Sequence, residues 1–124
     1  MSVVIHEVAH GYVAYALGDP TAKLAGRLTL NPLSHIDIMG SIIFPIFFYF
    51  ATLGTATFGW AKPVPYNPYN IAHPRGGAIV AAAGPLANLG IALIFGIIVQ
   101  MGAGTLSATF IHLASVVVVI NVML

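Results

Sequence analysis

The stretch AIVAAAGPLANLGIALIFGIIVQM, residues 78–101, carries no charged side chain from end to end. It is long enough to cross a bilayer as a helix, for which about 20 predominantly apolar residues suffice. Working outward, residues 38–58 and 106–124 also lack Asp, Glu, Lys and Arg and read as further spans. A fourth stretch, Met1–Leu17, is apolar except for His6, Glu7 and His10. It lacks the basic lead and small-residue cleavage site of a signal peptide. The last run has no polar stop and the first no lead-in, so both spans are expected to be incomplete. The fold expectation is therefore an all-α integral membrane protein with about four transmembrane helices. Residues 1–124 are expected to form one membrane-embedded core, a fragment of a longer one.

Composition agrees. Charged residues make up 6% of the 124 and hydrophobic residues 59%, with a mean hydropathy of +0.97. A soluble domain carries about 25% charged residues, so this composition speaks against one, and against a disordered segment. A net charge of +1 is too small for a nucleic-acid binder. The absence of cysteine excludes disulfides and thiolate metal sites.

Two polar connections separate the spans. Residues 18–37 contain Gly18-Asp19-Pro20, a helix stop followed by turn chemistry. Residues 59–77 hold prolines at 63, 65, 68 and 74, which forbid a helix and favour an extended or hairpin-like path. Each connection carries two Lys/Arg residues, so the positive-inside rule gives no orientation.

His6-Glu7-Val8-Ala9-His10 fits H-E-x-x-H. Positions four apart on a helix lie on one face, so both imidazoles can address one ion. Neutral imidazole is a good Zn2+ ligand. Glu7, beside the first ligand, can take the proton of a metal-bound water, the nucleophile, and act as general base. Three ionisable residues within five positions of an apolar helix call for a compensating partner, and a metal supplies one. The bland alternative is an interfacial helix with a wet polar face.

A catalytic zinc usually has three protein ligands. Asp19, His35, Asp37, His73 and His112 are the further candidates. Asp19 is expected at the mouth of the first helix, pointing away. His35 and Asp37 suit helix capping as well as ligation, and His73 suits a solvated loop. His112 sits mid-span, either hydrogen-bonded to a neighbouring helix or functional. Gly84, Asn88, Ala92 and Gly96 recur every four residues, a small-residue stripe for close helix packing. Asn88 on that stripe is a packing residue or a catalytic one. Asn121 is interhelical glue or a group near the site.

The strings HEVAHG (6–11), GDPTAK (18–23), GRLTLNPL (26–33), HID (35–37), GWAKPVP (59–65), NP (67–68) and GPLAN (84–88) together resemble the site-2 protease family. These are intramembrane zinc metalloproteases of the M50 type, and the closest likeness is to compact bacterial and archaeal members without a PDZ domain. The resemblance covers almost the whole chain. It implies a multi-pass protein of the cell membrane that hydrolyses peptide bonds in or near transmembrane segments of its substrates. By resemblance His6 and His10 bind zinc and Glu7 is the general base. The family's third ligand is an aspartate of an Asp-Gly motif on a later helix. No Asp follows Asp37 here, and Asn121-Val122-Met123-Leu124 resembles the lead-in to that motif. The third ligand is therefore expected beyond Leu124.

Residues 60–69 could pair with an unwound substrate segment by β-augmentation, or be a connecting loop with an interfacial Trp/Tyr anchor. Two competing functions remain at this level. One is a non-catalytic membrane relative with an incomplete zinc site. The other is a metal transporter, against which the placement of Glu7 argues, since transport needs no general base. The expected partners are the lipid bilayer and a transmembrane protein substrate, without nucleic acid.

Overall fold

In a computed structural model, which describes all of Met1–Leu124, five α-helices follow one another with no strand between them. They are α1 (Ser2–Ala16), α2 (Thr21–Leu24), α3 (Phe44–Ala51), α4 (Gly76–Gly102) and α5 (Ala108–Met123). A π-helical segment, Ile38–Ile43, runs directly into α3.

Helix α4 has 27 residues, about 40 Å at 1.5 Å per residue. It is the one helix long and apolar enough to cross a bilayer. Helices α1 and α5 have 15 and 16 residues and fall short of the roughly 30 Å of a hydrocarbon core. The span expected at 38–58 is shorter than its uncharged length. Its helix ends at Ala51, where the Thr52 hydroxyl turns back to the Phe48 carbonyl at 2.8 Å. Leu53 and Gly54 then adopt left-handed backbone, with φ of 54° and 80°. An uncharged run does not by itself make a helix; local turn chemistry stops this one.

The ends of α1 and α5 follow capping rules. Gly18 takes φ 107°, Asp19 N–H donates to Ala14 O at 2.9 Å and Gly18 N–H to Tyr15 O at 3.1 Å. That pair of bonds is a Schellman stop, which needs a residue free of Cβ strain. Ser107 caps α5 by accepting from Phe110 N–H at 3.3 Å.

Helices α1 and α4 pack antiparallel: His10 meets Val80 while His6 meets Asn88. The interface on α4 is the expected small stripe, with Gly84, Asn88 and Ala92 buried alongside Val80 and Ala83. On α1 the buried residues are Val4, Val8, Gly11 and Ala14. The stripe does not extend to Gly96, where an added Cβ would meet nothing. Helix α5 folds back along α4 and ends beside the start of α1, where Asn121 Nδ2 donates to Ser2 Oγ at 2.9 Å. Asn121 is interhelical glue. Large apolar side chains such as Phe47, Phe50, Leu93 and Leu113 are mostly exposed.

Of the two paths expected at 59–77, extended or hairpin-like, the structure takes the extended one. The first half of the segment bonds to other parts of the chain rather than to a second strand. Trp60 N–H donates to Gly40 O and Lys62 N–H to His35 O, both at 2.9 Å. With prolines at every second position from 63 to 65, a two-stranded ladder would lack its donors. A 3-10 turn, Pro68–Asn70, and a turn at His73–Arg75 interrupt the extended path.

Candidate active site

His6, Glu7 and His10 are half-buried on α1. The two imidazoles lie edge to face, with ring centroids 4.8 Å apart. His10 Nδ1 is 2.6 Å from Val80 O. A carbonyl can only accept, so Nδ1 carries the proton and Nε2 keeps its lone pair free. His6 Nδ1 lies 3.0 Å from the side-chain amide of Asn88. Both rings are thus anchored through Nδ1 by α4, and both Nε2 atoms point the same way.

They point at Gly84. A Cβ built on Gly84 would collide with the Nε2 atoms of both His6 and His10. The absent side chain leaves a hollow on which the Nε2 atoms of two imidazoles converge. That donor set and that hollow fit a zinc ion held by two histidines. No third His, Cys, Asp or Glu joins them among residues 1–124.

Glu7 faces another partner. Its Oε2 accepts from Val64 N–H at 3.0 Å. Val64 lies between Pro63 and Pro65, neither of which has an N–H, so its amide is the tripeptide's sole donor. Gly11 makes the approach possible: a Cβ there would come within 2.8 Å of Val64 Cγ1 and 2.7 Å of Leu28 Cδ2. Two cavities open beside Glu7. One, of about 460 Å³, is lined by Val3, Ser41, Trp60 and Leu124 as well as Glu7. The other, of about 320 Å³, is lined by Glu7, His10, Val64 and Tyr66.

The loop carrying Val64 is fixed at both ends by aspartates. Asp19 is fully buried. Its Oδ2 accepts from Asn67 N–H at 2.6 Å, and its Oδ1 from Asn70 Nδ2 at 2.8 Å and Thr21 N–H at 3.1 Å. Burial alone would raise its pKa. The bonds from the Thr21 hydroxyl, Asn70, and the Asn67 and Thr21 amides outweigh that and hold it at about 2. At the other end, Asp37 Oδ2 accepts from Trp60 Nε1 at 2.8 Å and from Gly40 N–H at 3.1 Å.

The other candidate ligands stay away from the histidine pair. His35 is buried with Nε2 2.9 Å from Thr29 O. Exposed His73 accepts the Arg75 N–H at its Nδ1. His112 is exposed on α5, so its expected bond to a neighbouring helix does not form there. The surface of an α-helix has one inward stripe, and on α5 that stripe holds Ala114 and Asn121.

Comparison with known proteins adds the following. The chain is 46% identical over 105 residues to a protein of Bacillus subtilis (strain 168) named "Putative zinc metalloprotease YwhC". That match covers 83% of this chain and 44% of the relative. It is 32% identical over 94 residues, 76% of this chain and 35% of the relative, to "Putative zinc metalloprotease Rip2" of Mycolicibacterium smegmatis. The chain belongs to the site-2 protease family. These relatives are longer: the match spans less than half the length of each. No family model and no solved structure matches it.

Sequence reasoning missed Val64, Val80 and Gly84 as parts of this site. Two signals were present. A proline on each side of Val64 leaves one amide to give, and the Gly84–Asn88 spacing of four puts both residues on the face that meets the histidines.

Proposed function

We propose that this chain is the zinc-binding part of an intramembrane metalloendopeptidase, which hydrolyses peptide bonds in or near transmembrane segments of membrane proteins. The observation that carries this reading is the convergence of His6 and His10 Nε2 on the hollow at Gly84, with Glu7 one residue away. His6 and His10 would hold the metal through Nε2. Zinc, when bound, lowers the pKa of a coordinated water to about 7 and so supplies a nucleophile at neutral pH. A third ligand, an aspartate from beyond Leu124, is part of the proposal. Leu124 lines the cavity that Glu7 lines, which supports it.

The chain's own residues do the rest. Val64 N–H holds Glu7 Oε2 and leaves Oε1 free. Glu7 Oε1 takes a proton from the attacking water and passes it to the amide nitrogen that leaves. A peptide crossing between the two cavities passes Glu7 on the way. Pairing of substrate with residues 60–69 has limited scope, because Trp60, Lys62, Val64 and Asn67 already give their N–H groups to the protein. Ala61 and Tyr66 keep theirs for a partner. The exposed apolar side chains of α3, α4 and α5 suit contact with lipid, and a multi-pass arrangement in the cell membrane is part of the same reading.

The test is cleavage of a single-span membrane protein by the intact protein in liposomes. Cleavage is expected to stop on zinc chelation. Glu7→Gln is expected to lower it roughly 10²- to 10⁴-fold with zinc content unchanged. Cleavage that ignores both treatments sinks the proposal.

A further inference from the structure

The two histidines are prepared for a metal to different degrees. His10 Nδ1 faces a backbone carbonyl at 2.6 Å, so its proton is fixed on Nδ1 and Nε2 is always open. His6 Nδ1 faces the Asn88 amide, which can either donate or accept. As the chain stands, Asn88 Nδ2 is turned to Nδ1. The imidazole then carries its proton on Nε2, the nitrogen that faces Gly84, and cannot ligate through it. Asn88 Oδ1 meanwhile is buried without a partner, though Asn88 is 99% buried. An orphaned buried acceptor is destabilising.

A half-turn of the Asn88 amide resolves His6's part of this. It brings Oδ1 to His6 Nδ1, where it accepts a hydrogen bond from Nδ1–H and leaves Nε2 unprotonated. We propose that Asn88 is a positioning residue for the metal centre: its side-chain oxygen selects the His6 tautomer that can bind zinc. A ligating histidine whose other ring nitrogen donates to a carbonyl or carboxylate is better oriented and more basic. The inference rests on the zinc reading of His6 and His10 above. It differs from a packing role on the small-residue stripe, because packing asks only for size and shape.

The experiment measures zinc affinity of the intact protein in detergent, by competition with a chromophoric chelator, and the absorption spectrum of the cobalt-substituted form. The variants are Asn88→Asp, Asn88→Leu, Asn88→Ala and His10→Ala. Asn88→Leu keeps the volume and removes the acceptor; it is expected to weaken zinc binding roughly 10- to 100-fold and to change the cobalt spectrum. Asn88→Asp keeps an acceptor oxygen and is expected to bind zinc within a few-fold of the parent. Where Asn88→Ala fails to fold, the Asp and Leu pair still decides. Equal affinity for Asn88→Asp and Asn88→Leu overturns the assignment while His10→Ala still loses zinc. If His10→Ala binds zinc as the parent does, the zinc reading itself is wrong.

Discussion

Helix α1 has two working sides, and they are held in different ways. On the α4 side, His6 and His10 meet the side chain of Asn88 and the carbonyl of Val80, both on one helix of 27 residues. Their separation is fixed by helix geometry on both partners. On the loop side, Glu7 meets a single amide, that of Val64, on a segment with no regular structure. Its position depends on two distant anchors, Asp19 and Asp37. The histidine side is thus built on rigid elements, whereas Glu7 is set by a strap. Each side can be broken without the other.

The largest effect is expected on the helical side. Gly84→Ala places a methyl group in the hollow where both Nε2 atoms converge. Zinc binding should be lost while the helical circular dichroism of the protein is retained; a zinc affinity equal to the parent's would show that the ion does not sit there.

A smaller effect is expected from Gly11→Ala, which acts on the strap. The added Cβ pushes Val64 and Leu28 away from α1. Overpacking of this kind costs about 1–3 kcal/mol. Zinc content should stay at the parent value while cleavage falls, because Glu7 loses the Val64 donor. Equal loss of both would mean that the two sides are not independent.

The smallest effect is a change in acid sensitivity. Asp19 has a folded pKa of about 2, below its ordinary 3.8. A depressed carboxylate pKa contributes stability in full above the ordinary value, and that contribution is lost as pH falls through the folded one. Thermal melts of the parent should therefore lose stability between about pH 4 and pH 2. Asp19→Asn should be less stable near neutral pH and should lack that part of the slope. Parallel pH curves for the two proteins would remove Asp19 as the strap's anchor.

Much of the helical side was legible in the sequence. The spacing of His6 and His10 gave the shared face, and Gly84, Asn88 and Ala92 gave the stripe that meets it. Both rest on the helical period, which is local information. The strap was not legible in the same way. Val64 reaches Glu7 across 57 positions and Asn67 reaches Asp19 across 48. No periodicity links such pairs, because the loop has none. The proline pattern excluded a helix correctly but did not say where the remaining N–H groups would go. The stretch at 38–58 failed for a different reason: hydropathy measures what a segment tolerates around it, and the left-handed turn at Leu53 and Gly54 is a matter of backbone.

His6 and Asn88 stand 82 positions apart. A ribosome adding about 5–20 residues per second needs roughly 4–16 seconds to pass from one to the other. For much of that interval α1 exists with its imidazoles and carboxylate before the strap and then α4 have been made. A helix so loaded with polar groups is a poor passenger for lipid on its own. On the membrane reading proposed above, biogenesis has an order built into it: α1 waits, shielded by water or by the insertion machinery, until α4 arrives to accept it.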